Sequence, residues 1–197
     1  MDERDKRRIG EEIEPGGRPK APGRLALLQG FINSSNHDFP PEWDRIGTGK
    51  KAQAWLRQKG LVAPGDRVSD ADAARLRDLR EALRALVVAN RGGRPPGAAL
   101  EIIRAAGAEL RVAIDDAGRT VLVPLPAGVD GAAATLLAIL HEARLSGDWS
   151  RMRACRKCEY AFFDRSKNRS AAWCDMAICG NRTKNRAYYR RHRTSTG

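Results

Sequence analysis

The sequence predicts a mostly helical α+β protein that ends in a small four-cysteine module. Three observations lead to this fold class. Apolar residues recur at three- and four-residue steps in several segments between residues 24 and 147, which is typical of helices with one buried face. One pair of short alternating segments predicts a single β-hairpin. All four cysteines lie in one basic stretch near the C-terminus, which predicts a metal-stabilised module there.

Charge divides the chain of 197 residues unevenly. Residues 150–197 hold 13 Lys and Arg against 3 Asp and Glu, whereas residues 1–149 hold 23 against 21. This distribution predicts a polyanionic partner for the C-terminal part. No apolar run approaches the roughly 20 residues of a membrane span, and the N-terminus has no apolar stretch typical of a signal peptide. We therefore expect a cytoplasmic protein with no membrane partner.

Composition also predicts three regions. Residues 1–23 mix charges of both signs with Gly and Pro and show no apolar period, so a disordered tail is expected there. A helical α+β body is expected over residues 24–149, and a finger with a basic C-terminal helix over residues 150–197. The finger is too short to bury a stable core without a cross-link such as a bound metal, and its cysteines can provide one.

Capping residues predict where the first helices of the body begin and end. A short apolar helix is expected within Arg24–Asn36. Thr48 caps a second helix that stops at Gly60, and Ser69 caps the longest helix, from about Asp70 to Asn90. Charged residues of this long helix are expected on its solvent face: Arg75, Arg77, Asp78 and Arg80.

The second half of the body combines two helices with the hairpin. A helix is expected from Pro95 to Ala106. Polar and apolar residues then alternate over Glu109–Asp115 and over Arg119–Leu125, with a DDAG turn between them. An apolar helix follows over Gly131–Gly147. These elements can enclose one core.

The cysteines follow the spacing C-x2-C-x15-C-x4-C, at Cys155, Cys158, Cys174 and Cys179. Zinc binds four thiolates tetrahedrally, so two such pairs predict one zinc-ribbon or treble-clef-like site with one Zn²⁺. With four cysteine ligands no coordination position is left for substrate, which predicts a structural metal. A rubredoxin-like iron site, a disulfide and free thiols are the alternatives.

Cations and aromatic residues around the cysteines predict a nucleic-acid interface, because guanidinium and ammonium groups contact phosphates and aromatic rings stack on bases. A merely solvated charged face is the alternative. The candidate contacts are Lys157, Arg165, Lys167, Arg169, Asn181, Arg182, Lys184, Arg186, Tyr189, Arg190, Arg191 and Arg193.

Catalysis is not expected, because the chain lacks the common catalytic motifs. His141 and Glu142 begin an H-E-x-x-H pattern, but Leu145 stands where the second histidine must be. No P-loop, Rossmann glycine pattern or nucleophile elbow occurs. In the body, the polar residues Asn33, Ser34 and His37 could rim a ligand pocket, with an ordinary capped loop as the alternative.

Three features of the C-terminal segment match a known family. They are CxxC at 155–158, FFDRSKN at 162–168, and WC-x-M-x-x-CGNR-x-K over residues 173–184. With these features the segment resembles the CGNR zinc-finger family, which implies the same four zinc ligands. The body is similar to the ABATE domain through LALLQGFINS, AWLRQKGL and LRDLREALRAL. Ala171 and Ala172 depart from the family, where Arg-Arg commonly precedes Trp-Cys.

The resemblance implies a stress-induced bacterial transcription regulator. From the basic segment we expect its zinc module to present a basic helix to phosphates, and we favour DNA over RNA as the partner. An RNA-binding zinc-ribbon protein outside transcription is one alternative. A module that binds an acidic protein surface is another, from a different class. The sequence also leaves open a homodimer formed through the body and a small-molecule effector of that body.

Overall fold

A computed structural model describes residues 14–38 and 40–183. The helices of the described chain that have eight or more residues are α1 (Leu25–Ile32), α2 (Gly49–Gln58), α3 (Asp70–Ala89), α4 (Gly97–Ala106) and α5 (Gly128–Leu145). Two antiparallel hairpins accompany them, β1 (Leu110–Ile114) with β2 (Thr120–Pro124) and β3 (Met152–Ala154) with β4 (Ala161–Phe163). The mostly helical α+β class is thus confirmed. Single turns at Pro15–Gly17, Pro41–Trp43, Asp148–Arg151 and Met176–Gly180 complete these elements.

Local capping defines the long helix as the sequence predicts. The Ser69 hydroxyl accepts from the amide of Asp72 at 3.1 Å, and the Asp72 carboxylate accepts from the amide of Ser69 at 3.0 Å. These reciprocal bonds form a capping box at the start of α3. At the end of α5, Gly147 has a φ of 80°, the left-handed conformation that stops a helix and that glycine adopts without strain.

The body core lies between α1, α3 and α5. Apolar side chains from the facing sides of these helices are completely or almost completely buried, among them Leu28, Phe31, Leu83, Leu136 and Ile139. Trp55 of α2 packs its ring 5.8 Å from that of Phe31. The hairpin β1–β2 lies beside α5 through β2, as the alternating segments predict, but Val112 and Ile114 on β1 remain about two-thirds exposed.

One residue of α3 departs from its expected position. Arg80 was expected in solvent, but it is 4% exposed. Its guanidinium donates to both carboxylate oxygens of Asp44, at 2.8 and 3.0 Å. This two-point ion pair satisfies the buried charge and allows Arg80 to lie inside the fold, next to the end of α1.

The N-terminal segment also departs from expectation for its described part. Residues 14–23 pack on the rest of the chain instead of forming a disordered tail. The Glu14 carboxylate is buried and accepts from the Tyr160 hydroxyl at 3.0 Å and from Gln29 Nε2 at 3.1 Å. Because these partners come from the finger and from α1, the segment joins the two regions. Residues 1–13 lie outside the described chain.

The hairpin β3–β4 belongs to the body and to the finger at once. Met152, Ala154, Ala161 and Phe163 are buried in the body core, whereas Phe162 is buried against the cysteines. Side chains alternate across a strand, so one short hairpin serves both cores. The predicted division between residues 149 and 150 therefore marks a change in amino-acid composition. The packing of side chains is continuous across it.

Candidate metal centre and nucleic-acid interface

The first cysteine pair lies in the tight turn that joins β3 to β4. The amide of Cys155 donates to the carbonyl of Tyr160 at 3.0 Å, and the amide of Glu159 donates to the carbonyl of Cys155 at 2.9 Å. Glu159 has a φ of 56°, which lets the chain reverse sharply after Cys158. The turn brings the sulfurs of Cys155 and Cys158 into one cluster.

The second pair is held by a single π-helical turn, Met176–Gly180. Asp175 caps this turn, because its carboxylate accepts from the amide of Ile178 at 3.0 Å. The amide of Cys179 donates to the carbonyl of Asp175, also at 3.0 Å. Cys174 lies immediately before the cap, so the wide x4 spacing still brings both sulfurs together.

The sulfur positions fit one tetrahedral zinc ion. The Sγ atoms of Cys158 and Cys174 lie 3.7 Å apart, those of Cys174 and Cys179 3.6 Å, and those of Cys179 and Cys158 3.8 Å. All four Sγ atoms lie within 4.8 Å of one another. Zinc–sulfur bonds of about 2.3 Å at tetrahedral angles place sulfurs about 3.8 Å apart. None of the cysteines forms a disulfide.

Burial of the cluster means that its cysteines can all be thiolates only when a cation is bound. All four cysteines are buried, at 1–3% exposure. The hydrogen bond with Cys155 raises the pKa of the Cys158 thiol to about 12, and burial adds to this increase. Burial likewise raises the pKa of the Cys179 thiol. Four thiolates can coexist in this volume when a divalent ion coordinates them and offsets half of their charge, so the cluster fits one structural Zn²⁺.

Arg18 of the N-terminal segment covers the second cysteine pair. Its Nε donates to the carbonyl of Cys174 at 2.9 Å, and its Nη2 donates to the carbonyl of Trp173 at 3.3 Å. The same guanidinium lies 4.9 Å from the ring centroid of Phe162. The segment that carries Arg18 is thus part of the outer shell of the centre.

Asp164 braces the loop between the cysteine pairs. Its buried carboxylate accepts from the amides of Ser166 and Ala171, both at 2.9 Å. Although burial opposes ionisation, these hydrogen bonds hold the pKa of the Asp164 carboxyl below its usual range. The charged carboxylate closes the loop at both ends and positions the chain before Cys174.

Two of the predicted nucleic-acid contacts lie against a carboxylate or an aromatic ring of the chain. Lys157 forms an ion pair with Asp38, with 2.6 Å between Nζ and the carboxylate oxygen. Arg165 lies 5.3 Å from the ring centroid of Phe163. The charge of Lys157 is therefore largely balanced, whereas Arg165 keeps its charge at the surface.

Four further predicted contacts lie at the surface of the finger. Arg169 donates to the Ser150 hydroxyl at 3.0 Å. Lys167 is exposed in the loop braced by Asp164, and Asn181 and Arg182 are exposed immediately after the π turn. The remaining predicted contacts lie outside the described residues and stay predictions: Lys184, Arg186, Tyr189, Arg190, Arg191 and Arg193.

The structure adds a surface, here called the arginine strip, in which the predicted contact Arg169 is joined by three arginines that sequence reasoning missed, Arg91, Arg153 and Arg156. Arg91, just beyond α3, donates to the carbonyl of Ala154 at 2.9 Å and to that of Ala171 at 3.1 Å. Body and finger therefore both contribute to the strip.

Other backbone contacts hold the strip in place. Arg153 donates to the carbonyl of Asn90 at 2.7 Å and to that of Arg169 at 3.1 Å. Arg156 is exposed, and its amide donates to the carbonyl of Ala172 at 3.0 Å. Arg153 and Arg156 lie close to Cys155 in the sequence, so the sequence could have indicated their part of the strip. No neighbouring residue indicates that Arg91 belongs to it.

The strip carries positive charge that the described chain offsets only in part, through the nearby Asp164 carboxylate. None of its arginines takes part in an ion pair with a described carboxylate. Burial lowers the pKa of the Arg91 guanidinium, and the positive charges of Arg156 and Arg153 lower it further. Such a surface favours anions.

Two of the predicted pocket residues are used inside the fold. Asn33 exchanges two hydrogen bonds with the backbone of Ala161, each of 2.8 Å. The buried Ser34 hydroxyl accepts from Arg80 at 3.3 Å. Their polar groups therefore join elements of the fold and do not face a pocket.

His37, the third predicted pocket residue, is about half exposed. Its Nε2 lies 3.4 Å from a carboxylate oxygen of Glu81, and its Nδ1 lies 3.5 Å from one of Glu159. It bridges α3 and the first cysteine turn, and it too makes contacts within the chain.

Comparison with protein families matches both regions. A family model named ABATE, with the description "Putative stress-induced transcription regulator", matches residues 23–146. A second model, the CGNR zinc finger, matches residues 151–192 and favours zinc over iron for the cysteine cluster. Neither is an enzyme family. No curated protein matches the sequence. In the described part of the chain, no helix has the length and apolar character needed to cross a membrane.

Proposed function

Because the chain belongs to the ABATE family and ends in a CGNR zinc finger, we propose that it is a cytoplasmic transcription regulator that binds nucleic acid, with DNA favoured over RNA. The zinc ion has a structural role in this proposal. It holds the two cysteine turns, and the surface around them contacts phosphates.

The observation that carries the proposal is the arginine strip, whose four arginines form no ion pair with a described carboxylate. Guanidinium groups donate in a planar fork that matches phosphate oxygens, and they keep their charge at any physiological pH. Arg91 and Arg153 are already oriented by backbone carbonyls, which reduces the conformational entropy that binding would cost. Residues 150–197 carry a net charge of +10, which adds a long-range attraction toward a polyanion.

The strip also compensates for a departure from the family. Ala171 and Ala172 stand where an Arg-Arg pair is common, and Arg91 donates to the carbonyl of Ala171. Arg156 is hydrogen-bonded through its amide to the carbonyl of Ala172. The Arg91 guanidinium thus lies beside both alanines and can serve the phosphates that the missing pair would contact.

The test is binding of the zinc-loaded full chain to duplex DNA and single-stranded RNA over a range of salt concentrations. Each phosphate contact contributes about 0.9 to the slope of log affinity against log salt on duplex DNA and about 0.7 on single strands. The Arg156→Ala variant should weaken binding about three- to tenfold and reduce the slope by about one contact.

A matched control is Arg111→Ala, which removes an exposed arginine from the hairpin β1–β2, far along the chain from the strip. It should leave the slope unchanged. Tighter binding to RNA than to DNA would move the proposal to the RNA-binding alternative. Absence of salt-dependent binding to either polymer would overturn it, and a partner captured after nuclease treatment would then favour the acidic-protein alternative.

A further inference from the structure

A cavity of about 400 Å³ lies in the body between α3, α4 and the beginning of α5. Its floor is apolar, with the side chains of Leu76 and Leu79 from α3, Ile102 from α4 and Val129 from α5. Leu76 and Leu79 are 1% and 2% exposed, so the floor is part of the main core. The volume lies in the range of about 300–1,000 Å³ that is usual for small-molecule sites.

A close backbone approach shapes one wall of this cavity. The carbonyl oxygen of Pro126 would lie 2.3 Å from a Cβ at position 131, so Gly131 is required there. The connection after β2 therefore lies tight against the first turn of α5, and Pro126 lines the opening. The wall is built by the backbone and does not depend on the rotamer of a surface side chain.

The rim of the cavity is acidic. Asp78, Glu109 and Asp130 contribute three carboxylates, and Arg75 contributes the one cation among the described lining residues. Arg75 is already paired with Asp130 at 2.8 Å and with Asp72 at 2.7 Å. Asp78 and Glu109 form no ion pair with a described residue. Local negative charge at an apolar cavity stands out in a protein with a net charge of +12.

We propose that this cavity binds a small apolar molecule that carries an ammonium group. The apolar part would lie on the leucine floor, and the ammonium group would lie between Asp78 and Glu109 at the rim. Burial of the apolar part supplies most of the affinity, and the carboxylates select for a cation over an anion. The proposal concerns the body alone and does not depend on nucleic-acid binding.

The experiment uses two probes that share a naphthyl ring and differ in charge, 1-naphthylmethylammonium and 1-naphthylacetate. Each is titrated into the zinc-loaded full chain, and calorimetry follows its binding. The ammonium probe should bind at least about tenfold more tightly than the carboxylate probe. Asp78→Asn should lower the affinity for the ammonium probe about threefold. Its matched control is Asp116→Asn, which removes an exposed carboxylate from the β1–β2 turn and should change nothing.

A second variant tests the location. Ala105 lines the cavity from the exposed side of α4, so Ala105→Trp should fill the opening and abolish binding of the ammonium probe. Equal affinity for both probes, no binding of the ammonium probe, or unchanged binding to Ala105→Trp would each overturn the proposal. Failure of nucleic-acid binding would leave it standing, because the probes report on the body independently.

Discussion

The side chain of Asn33 and the backbone of Ala161 exchange two hydrogen bonds of 2.8 Å. Asn33 Nδ2 donates to the carbonyl of Ala161, and the amide of Ala161 donates to Asn33 Oδ1. Asn33 follows α1 in the body, whereas Ala161 begins β4 beside the cysteine cluster. The pair therefore connects the body directly to the metal module.

This connection predicts the effect of Asn33→Ala. The amide of Ala161 would lose its partner inside the fold, whereas its carbonyl would keep the bond from Gln29 Nε2 at 3.3 Å. An unsatisfied buried donor costs about 1–3 kcal/mol, so we expect the free energy of unfolding to fall by about 2 kcal/mol. Urea unfolding of the zinc-loaded protein measures this change.

Asn36→Ala is the matched control, because among the described residues the buried Asn36 side chain bonds only to the amide of Asp38, in its own loop. It should cost less than about 1 kcal/mol. Equal losses for the two variants would contradict a connecting role for Asn33.

Zinc removal should destabilise the body as well as the finger. Met152 and Phe163 of the shared hairpin pack in the body core, while the turn between β3 and β4 carries two of the metal ligands. We expect chelation to lower the melting temperature of the whole chain by roughly 10 °C, which corresponds to about 3 kcal/mol for a protein of this length. Far-ultraviolet circular dichroism follows the helices of the body.

Cys158→Ser should reproduce this loss and also remove the single zinc ion detected by elemental analysis. Re-addition of zinc should restore the chelated wild type but not the variant. A body that melts at the same temperature with and without zinc would show that the two cores are independent.

Glu14 predicts a pH dependence of stability. Burial raises the pKa of its carboxyl above the unfolded value of 4.5, because the folded environment disfavours the charged form. Between the unfolded and the folded pKa, the folded state binds more protons than the unfolded state. The contribution of Glu14 is therefore fully present below about pH 4.5 and is lost as the pH rises through the folded pKa.

Glu14→Gln isolates this contribution. A glutamine oxygen can still accept from the Tyr160 hydroxyl and from Gln29, but it cannot ionise. We expect the variant to be at least as stable as the wild type at pH 7 and to lose the decline above pH 4.5. Urea unfolding at several pH values measures both effects, and parallel pH profiles of the two proteins would contradict the prediction.

Local signals explain what the sequence could predict. The capping box at Ser69, the stop at Gly147 and the alternating hairpin each depend on a few neighbouring residues, so they can be read without knowledge of the fold. The cysteine spacing is local in the same sense, because each pair closes within one turn. These features predicted the fold class and the complete ligand set Cys155, Cys158, Cys174 and Cys179.

Contacts between residues far apart along the chain explain what the sequence could not predict. Arg80 looks solvent-facing by charge, and only the position of Asp44, 36 residues away along the chain, makes its burial favourable. The same holds for Glu14, whose partner Tyr160 is 146 residues away. The arginine strip depends on Arg91 meeting the finger, which no periodicity in α3 indicates.

Arg84 provides the last prediction, because its buried side chain joins three parts of the chain. At 2% exposure it donates from Nη2 to the carbonyls of Ile32 and Ser35, at 2.6 and 2.9 Å, and from Nη1 to the carbonyl of Glu159 at 3.1 Å. Its Nε donates to the Glu81 carboxylate at 2.9 Å. The planar fork reaches all of these acceptors at once, and a lysine ammonium cannot.

Arg84→Lys should therefore lower the free energy of unfolding by about 2–3 kcal/mol, since it leaves buried carbonyls without donors. Because Glu159 follows Cys158 directly, losing the bond to its carbonyl should also weaken zinc binding about tenfold. Competition with a chromogenic chelator measures the zinc affinity, and urea unfolding measures the stability. Arg104→Lys, at an exposed position on α4, is the matched control and should change neither quantity. Loss of stability with unchanged zinc affinity would show that Arg84 stabilises the body but does not support the metal centre.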